Sequence, residues 1–319
     1  MTGWTELTNL LAKLDQTDEY YEAADLAEEL CEPGVDPALD TVAVWSGQIL
    51  VGFGQLRVST GLFQARVRAG IGGGVHPDFR GRGIGTEIMD RLEPRARQLS
   101  AQRHPGVEVL LRASGGIQGA SVRRLLEHRG YRIVRYFHEM SRPLPAALPA
   151  EASQQRPEAG PQVQAYRPEL SEATRLAHNE AFSTHWGSTP WDAAQWQDFI
   201  GSRALRPELC FVSLGADGAV DALSMARQWV PGEAWVDLVG TRQRARGRGL
   251  ARACLSATLR AAAEHGYRTA GLGVDSQNGQ GAGALYSSLG FEVVRVLASY
   301  GRVVPAWEGE LSTGSEYSA

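Results

Sequence analysis

The chain has 319 residues, 43% of them hydrophobic and 21% charged, with a formal net charge of −4. It can bury a full core and is long for one compact domain, so two domains are expected. The mildly acidic balance leaves no global footprint for nucleic acid or an anionic membrane. No apolar run could span a bilayer and no signal-like start is present, so the expectation is a cytoplasmic protein.

In chain order, Leu7, Leu10, Leu11 and Leu14 fall at helical spacing, and a second helical stretch reaches about Leu30. TVAVW, a Ser46-Gly47 turn and ILVGFGQLRV predict a hairpin, followed by a strand ending at Val75. The stretch GVHPDFRGRGIGTEIM, Gly74 to Met89, then passes through a glycine loop into a helix. Its apolar residues Ile84, Ile88, Met89, Leu92, Ala96 and Leu99 lie on one face. A strand at Val107 to Leu111, a short helix and the strand GYRIVRYFHEM complete this half.

Arg142 to Gln162 carries five prolines and almost no large apolar residue, the composition of a linker. After it the layout returns. VQAY (from Val163) is a strand, helices follow at about 171–183 and 190–201, and CFVSL, VDALSMARQ and AWVDLVGT are strands. A second glycine loop, GTRQRARGRGLARACL (Gly240 to Leu255), leads into a helix, then AGLGVD, a helix and FEVVRVLASY. HRGYRIVRYFHEM and SLGFEVVRVLASY also correspond, so one supersecondary layout occurs twice. The expected boundaries are 1–145, a linker at 146–160, and 161–319. Because the chain starts directly with a helix, the first sheet should be one strand shorter than the second.

Lys13 is the only lysine. Cys31, Cys210 and Cys254 are too scattered for a disulfide framework or a zinc site, and no metal is expected.

A glycine loop at a helix start offers free backbone N–H groups and the positive end of the helix dipole to an anion. The Gly-Lys-Ser/Thr of a phosphate loop is absent, and the dinucleotide fingerprint does not fit. What fits is Arg-x-x-Gly-x-Gly/Ala, as Arg80, Gly83, Gly85 and again as Arg246, Gly249, Ala251. With Asn278 and LYSSLGF (Leu285 to Phe291), this pattern resembles the GNAT acetyltransferases, and the tandem layout is most similar to their mycothiol synthase group.

The resemblance implies an α/β (α+β) protein of two tandem GNAT folds, each a mixed, mostly antiparallel sheet flanked by helices. It implies acetyl-CoA as donor, its pantetheine arm pairing with an open strand edge and its pyrophosphate held by the loop. In the first half the residues it points to are Gly73, Val75, Arg80, Gly81, Arg82, Gly83, Gly85 and Thr86. In the second they are Val239, Thr241, Arg246, Gly247, Arg248, Gly249, Ala251 and Asn278. A ligand-free glycine-rich strand end is the alternative for Gly72-Gly73-Gly74. A nucleic-acid patch is the alternative for Arg242, Arg244, Arg246, Arg248 and Arg252.

Acyl transfer to an amine needs a neutral amine, donors for the oxyanion and a proton for the departing thiolate. The resemblance gives the last role to Tyr286, where the first half has Leu126. The second half is therefore expected to catalyse and the first to bind CoA silently. Trp235 stands where mycothiol synthases carry a Glu; Asp237, two residues on, is the candidate base, with deprotonation through water as the alternative. His185, Trp186, Trp191 and Trp196, between the second half's first two helices, could wall an acceptor site or merely pack the helices. The expected protein is a monomer whose halves pack like a dimer, acetylating a small-molecule amine without nucleic-acid or membrane partners. A non-catalytic CoA-binding scaffold or sensor is the alternative.

Overall fold

The computed structural model describes residues 1–16, 20–145, 162–277 and 281–309. The linker 146–160 and Asn278 lie outside them. The first half runs α1 (Thr2–Leu14), α2 (Ala23–Leu30), α3 (Pro37–Asp40), β1 (Thr41–Ser46), β2 (Ile49–Phe63), β3 (Arg66–Val75), α4 (Ile84–Arg103), β4 (Val109–Ser114), α5 (Val122–His128) and β5 (Arg132–Pro143). The second runs β6 (Val163–Ala165), α6 (Ser171–Ala181), α7 (Ala193–Gly201), β7 (Phe211–Leu214), β8 (Val220–Arg227), β9 (Glu233–Thr241), α8 (Leu250–Glu264), β10 (Thr269–Asp275), α9 (Ala282–Ser288) and β11 (Glu292–Val304).

The leucine spacing at the start does produce α1, which buries Leu7 and Leu11 against Leu50, Trp4 and Phe53. Among the described residues no strand precedes the first half's helices, whereas β6 adds an edge strand to the second by pairing with β7. β2 runs past Val58 to Phe63 and returns into β3 through Gln64 and Ala65, at φ 49° and 59°. Two consecutive left-handed residues make the turn that matches strand twist, here without the usual Asn or Gly.

All strands join one eleven-stranded sheet in the order β1-β2-β3-β4-β11-β5-β10-β9-β8-β7-β6. The halves exchange their last strands: β11 inserts between β4 and β5, and β5 inserts between β11 and β10. The cores are shared accordingly. Ala298, Tyr300 and Val304 of β11 are buried with Leu92, Val109 and Leu126 of the first half. Met140 of β5 is buried with Leu255, Leu272 and Tyr286 of the second. At about 1.5–3 kcal/mol for each large apolar side chain buried, the exchanged strands hold the halves together strongly.

Candidate active site

Two clefts open in the sheet. β3 and β4 are parallel and paired only from Val67–Val109 to Gly70–Arg112; β9 and β10 are paired only from Glu233–Thr269 to Val236–Leu272. Beyond those ladders each pair splays, so the edges of Ile71–Val75 and Asp237–Thr241 facing the cleft lack a strand partner. Gly73, Val75, Val239 and Thr241 all lie on these open edges. An extended ligand can pair there as an added strand.

At the head of each cleft the chain turns into a helix through glycines that need left-handed φ. These are Gly81 at 74° and Gly83 at 84° in the first half, and Gly247 at 76° and Gly249 at 75° in the second. A Cβ at any of the four would meet nothing within 4 Å, so conformation rather than crowding requires glycine. No side chain caps α4 or α8, which leaves the first-turn N–H groups free for an anion such as a pyrophosphate. Gly85 has a different reason: a Cβ there would lie 3.1 Å from Leu125 of α5. Thr86, Arg82 and Arg248 are exposed around the loops, and Ala251 takes the place of Gly85 at α8.

Arg80 and Arg246 brace these loops from below. Arg80 Nε donates to Val75 O at 3.1 Å and Nη2 reaches Asp15 Oδ2 at 2.6 Å. Arg246 Nη2 donates to Ala181 O at 3.3 Å, and Nε approaches Thr241 O at 3.5 Å. Both tie the loop to the strand end and to the half's first helical region. Arg242 pairs with Glu180, and Arg244 with Asp217 and Asp221, so much of the second loop's positive charge is matched within the protein. The glycine run also has fold reasons: a Cβ at Gly74 would lie 2.2 Å from Leu11, and one at Gly73 2.4 Å from Phe53 O.

The decisive difference lies in β9. Its pairing with β8 skips Asp237, passing from Met225–Leu238 to Ala226–Val236. This is a β-bulge, a device that re-aims side chains beside active sites. Its effect on the faces is visible: Val236 and Val239 both pack on the α8 core while Leu238 packs on the α6–α7 core. The corresponding β2–β3 ladder runs unbroken from Gly52–Val75 to Val58–Ala69.

Asp237 is 21% exposed and lies 3.1 Å from Arg227 Nε. The pair is misaligned, because neither Arg227 Nε nor Asp237 Oδ2, both shut off from solvent, has a hydrogen-bond partner. Burial pushes the Asp237 carboxyl up to about 6, against the opposing pull of Arg227 and a Trp235 hydrogen bond. That is a suitable value for a base at neutral pH.

Below the bulge, on the Trp235 face, is a cavity of about 480 Å³. Glu233 and Trp235 of β9, Glu139 and Ser141 of the exchanged β5, Arg295 of β11 and Lys13 of α1 line it. Glu139 and Arg295 pair at 2.6 Å. Asp237 is not itself among the lining residues, although its carboxyl accepts from Trp235, which is.

Tyr286 on α9 is buried, with its ring edge-on to Phe291 at 6.2 Å. Burial pushes its phenol up to about 12. Leu126, its first-half counterpart, is 1% exposed in an apolar core.

The four aromatic candidates between α6 and α7 separate. Trp191 and Trp196 pack with His178 and Phe199, and His185 touches Phe182. Trp186 lies over the middle of the sheet against Phe63, Phe137, Arg112 and Arg135, on strands of the first half. Sequence reasoning passed over His178, which the stack buries and holds down to about 4, hence neutral. It also passed over the cavity's Lys13, Glu139 and Arg295, which come together only through the strand exchange.

These two splayed clefts, each headed by a glycine loop on a mixed sheet, define an acyltransferase architecture, and the chain belongs to the acetyltransferase (GNAT) family. That family's model matches residues 4–110 and again 171–291. Over 220 residues the chain is 31% identical to a mycothiol acetyltransferase of Streptomyces bingchenggensis, covering 68% of this chain and 67% of that protein. A GCN5-related N-acetyltransferase from Sphaerobacter thermophilus has the same fold, with a TM-score of 0.70 and 24% identity across 95% of this chain and 92% of that one. A tandem GNAT protein from the clavulanic acid biosynthesis pathway superposes with a TM-score of 0.62 and 17% identity, covering 97% and 95%. The protein is an acyltransferase of a family that draws its acyl group from acyl-CoA. Among the described residues no helix is long and apolar enough to cross a membrane.

Proposed function

We propose that the second half transfers an acetyl group from acetyl-CoA to the amine of a small polar acceptor, and that the first half binds CoA without catalysing. The observation that carries this reading is the bulge at Asp237, which places a carboxylate beside the second cleft and has no counterpart in the first. Acetyl-CoA supplies an activated thioester; the rest is the work of the chain.

The Gly247–Gly249 loop holds the pyrophosphate on α8, and the open edge of β9 pairs the pantetheine arm. A backbone N–H near Thr241 faces the carbonyl and stabilises its developing charge. Asp237, ionised above about pH 6, takes the amine proton through water, since it does not itself line the cavity. The acceptor occupies the cavity over Trp235, where Glu233, Glu139, Arg295 and Lys13 offer charges of both signs to a hydroxyl-rich or zwitterionic molecule. Tyr286 presents its phenol proton to the departing sulfur. Because its proton is held more tightly than a thiol of reference pKa about 8.5 would hold one, it acts chiefly as a hydrogen-bond donor to the thiolate.

The likeness to a mycothiol acetyltransferase supports a small-molecule amine as acceptor. The shared sheet supports a monomer, and we place the enzyme in the cytoplasm. The test is a screen of amine pools with acetyl-CoA, following thiol release and acetylated product. Turnover that survives in Asp237→Asn and Tyr286→Phe alike would overturn the assignment of these residues.

A further inference from the structure

The floors of the two clefts differ at corresponding positions. Val67, Ala69, Val109 and Leu111 face the α4 core, so Arg68, Gly70 and Arg112 face the opposite side. In the second half Ala234, Val236, Ala270 and Leu272 face α8, which puts Trp235, Asp237 and Gly273 in the matching places. Where one cleft offers a carboxylate and open glycine, the other offers two guanidinium groups.

Those two groups converge. A Cβ at Gly187, in the segment between α6 and α7, would lie 3.1 Å from Nη1 of Arg68 and 3.1 Å from Nη1 of Arg112. Among the described residues neither forms an ion pair with a carboxylate. Arg68 makes no side-chain hydrogen bond or ion pair among the described residues, and Arg112 donates only to Ser299 Oγ, at 3.0 Å. Arg112 Nε is shut off from solvent with no acceptor. The neighbouring Asp275 is engaged by Arg135 at 3.5 Å. Burial lowers the pKa of both arginines, that of Arg112 to about 10, with Arg68's repulsion adding to the shift and the charge of Asp275 opposing it. Half-buried cations with unused donors are costly, and a planar anion that accepts from both removes that cost.

We propose that the floor of the first cleft is a binding site for a carboxylate, carried either at the end of an acyl group on CoA or on a small free dicarboxylate. A protonated amine would be repelled there, so the first half is unsuited to amine acetylation for a reason additional to Leu126. Gly187 lies against both arginines and Trp186 against Arg112, which brings a segment of the second half into contact with the site. The CoA-borne source rests on the reading that the first loop holds CoA; the free-acid source does not.

The test is calorimetry on the full chain with CoA, S-carboxymethyl-CoA, S-propyl-CoA and succinate, for wild type, Arg68→Gln and Arg112→Gln. The two thioethers cannot transfer a group and differ in the carboxylate. One site should prefer S-carboxymethyl-CoA by about tenfold or more, as a charged hydrogen bond worth about 1.5–3 kcal/mol requires. That preference should vanish in both variants while CoA stoichiometry is kept. Succinate binding that depends on the same arginines would identify a free acid as the ligand. Equal binding of the two thioethers, together with no arginine-dependent succinate binding, overturns the site. Failure of CoA to bind the first loop would sink the CoA reading alone, and the succinate arm then decides the carboxylate site. If either variant fails to fold, the wild-type preference between the thioethers and its succinate binding decide.

Discussion

At corresponding levels of the two clefts, β3 carries Gly70 and Ile71 in an unbroken ladder and β9 carries Asp237 in a bulge. The loops above them have nearly the same backbone, with all four key glycines between φ 74° and 84°. Under the proposed function, the capacity to hold an anion and the capacity to activate an amine reside in different parts of this fold. The first depends on N–H groups and left-handed glycines, which both copies keep. In that reading the second depends on one carboxylate, one phenol and an interruption of strand pairing, which one copy has.

The largest effect should come from separating the halves. A chain of residues 161–319 lacks β5, so β10 and β11 lose the strand that lies between them and expose unpaired edges. The expected product is an aggregate or a strand-swapped dimer, which sedimentation would reveal. A well-folded monomer with full CoA affinity would show that the exchange is dispensable.

Next is Asp237→Asn, which should lower turnover by about 10² to 10⁴, the usual range for a general base. In wild type, kcat/KM should rise as pH climbs through about 6, where Asp237 ionises, and that limb should be missing in the variant. Stability should move the other way. Because the folded value is raised, the group's stabilising contribution is complete below the ordinary carboxylate value of about 4 and is lost as pH passes through about 6. The difference is about 3 kcal/mol. Melting of wild type and Asp237→Asn between pH 4 and 7 would check it; parallel curves would mean that Asp237 is solvated in the fold.

Tyr286→Phe should cost less, about 10², because a hydrogen-bond donor is removed while the ring still packs on Phe291. Thiol release under saturating acetyl-CoA is the measurement, and an unchanged rate would make Tyr286 a packing residue. The converse change, Leu126→Tyr, should create no activity. It should also destabilise the first half by about 1–3 kcal/mol, because Leu126 sits in a filled core.

The sequence made most of the elements legible because their signals are local: leucines at helical spacing for α1, alternation in β1 and β2, glycines heading α4 and α8. The turn at Gln64 and Ala65 was not legible, since nothing in those side chains announces left-handed backbone. The strand exchange was not legible either. β5 and β11 alternate equally well beside any neighbour, and the choice depends on packing between halves. For the same reason Lys13, Glu139 and Arg295 could not be assembled into a cavity from their positions in the chain. The carboxylate at Asp237 could be singled out by position, but the bulge that sets its surroundings depends on how β9 meets β8. Arg68 and Arg112 read as ordinary strand residues until the pairing of β3 with β4 brought them to one spot.

The smallest effect on turnover should come from the first loop, and it tests the comparison most directly. Gly83 adopts φ 84° and a Cβ added there meets nothing within 4 Å, so Gly83→Leu should cost mainly the strain of a left-handed non-glycine residue, about 1–2 kcal/mol. The fold should therefore survive. Relaxation of that strain turns the first N–H groups of α4 away from the loop, and a pyrophosphate site built from N–H groups loses its geometry. Calorimetry with CoA should show one equivalent fewer per chain, while thiol release stays at the wild-type rate, because Asp237, Tyr286 and the Gly247–Gly249 loop are untouched. If turnover disappears while the second equivalent still binds, catalysis belongs to the first half, and the bulge in β9 needs another explanation.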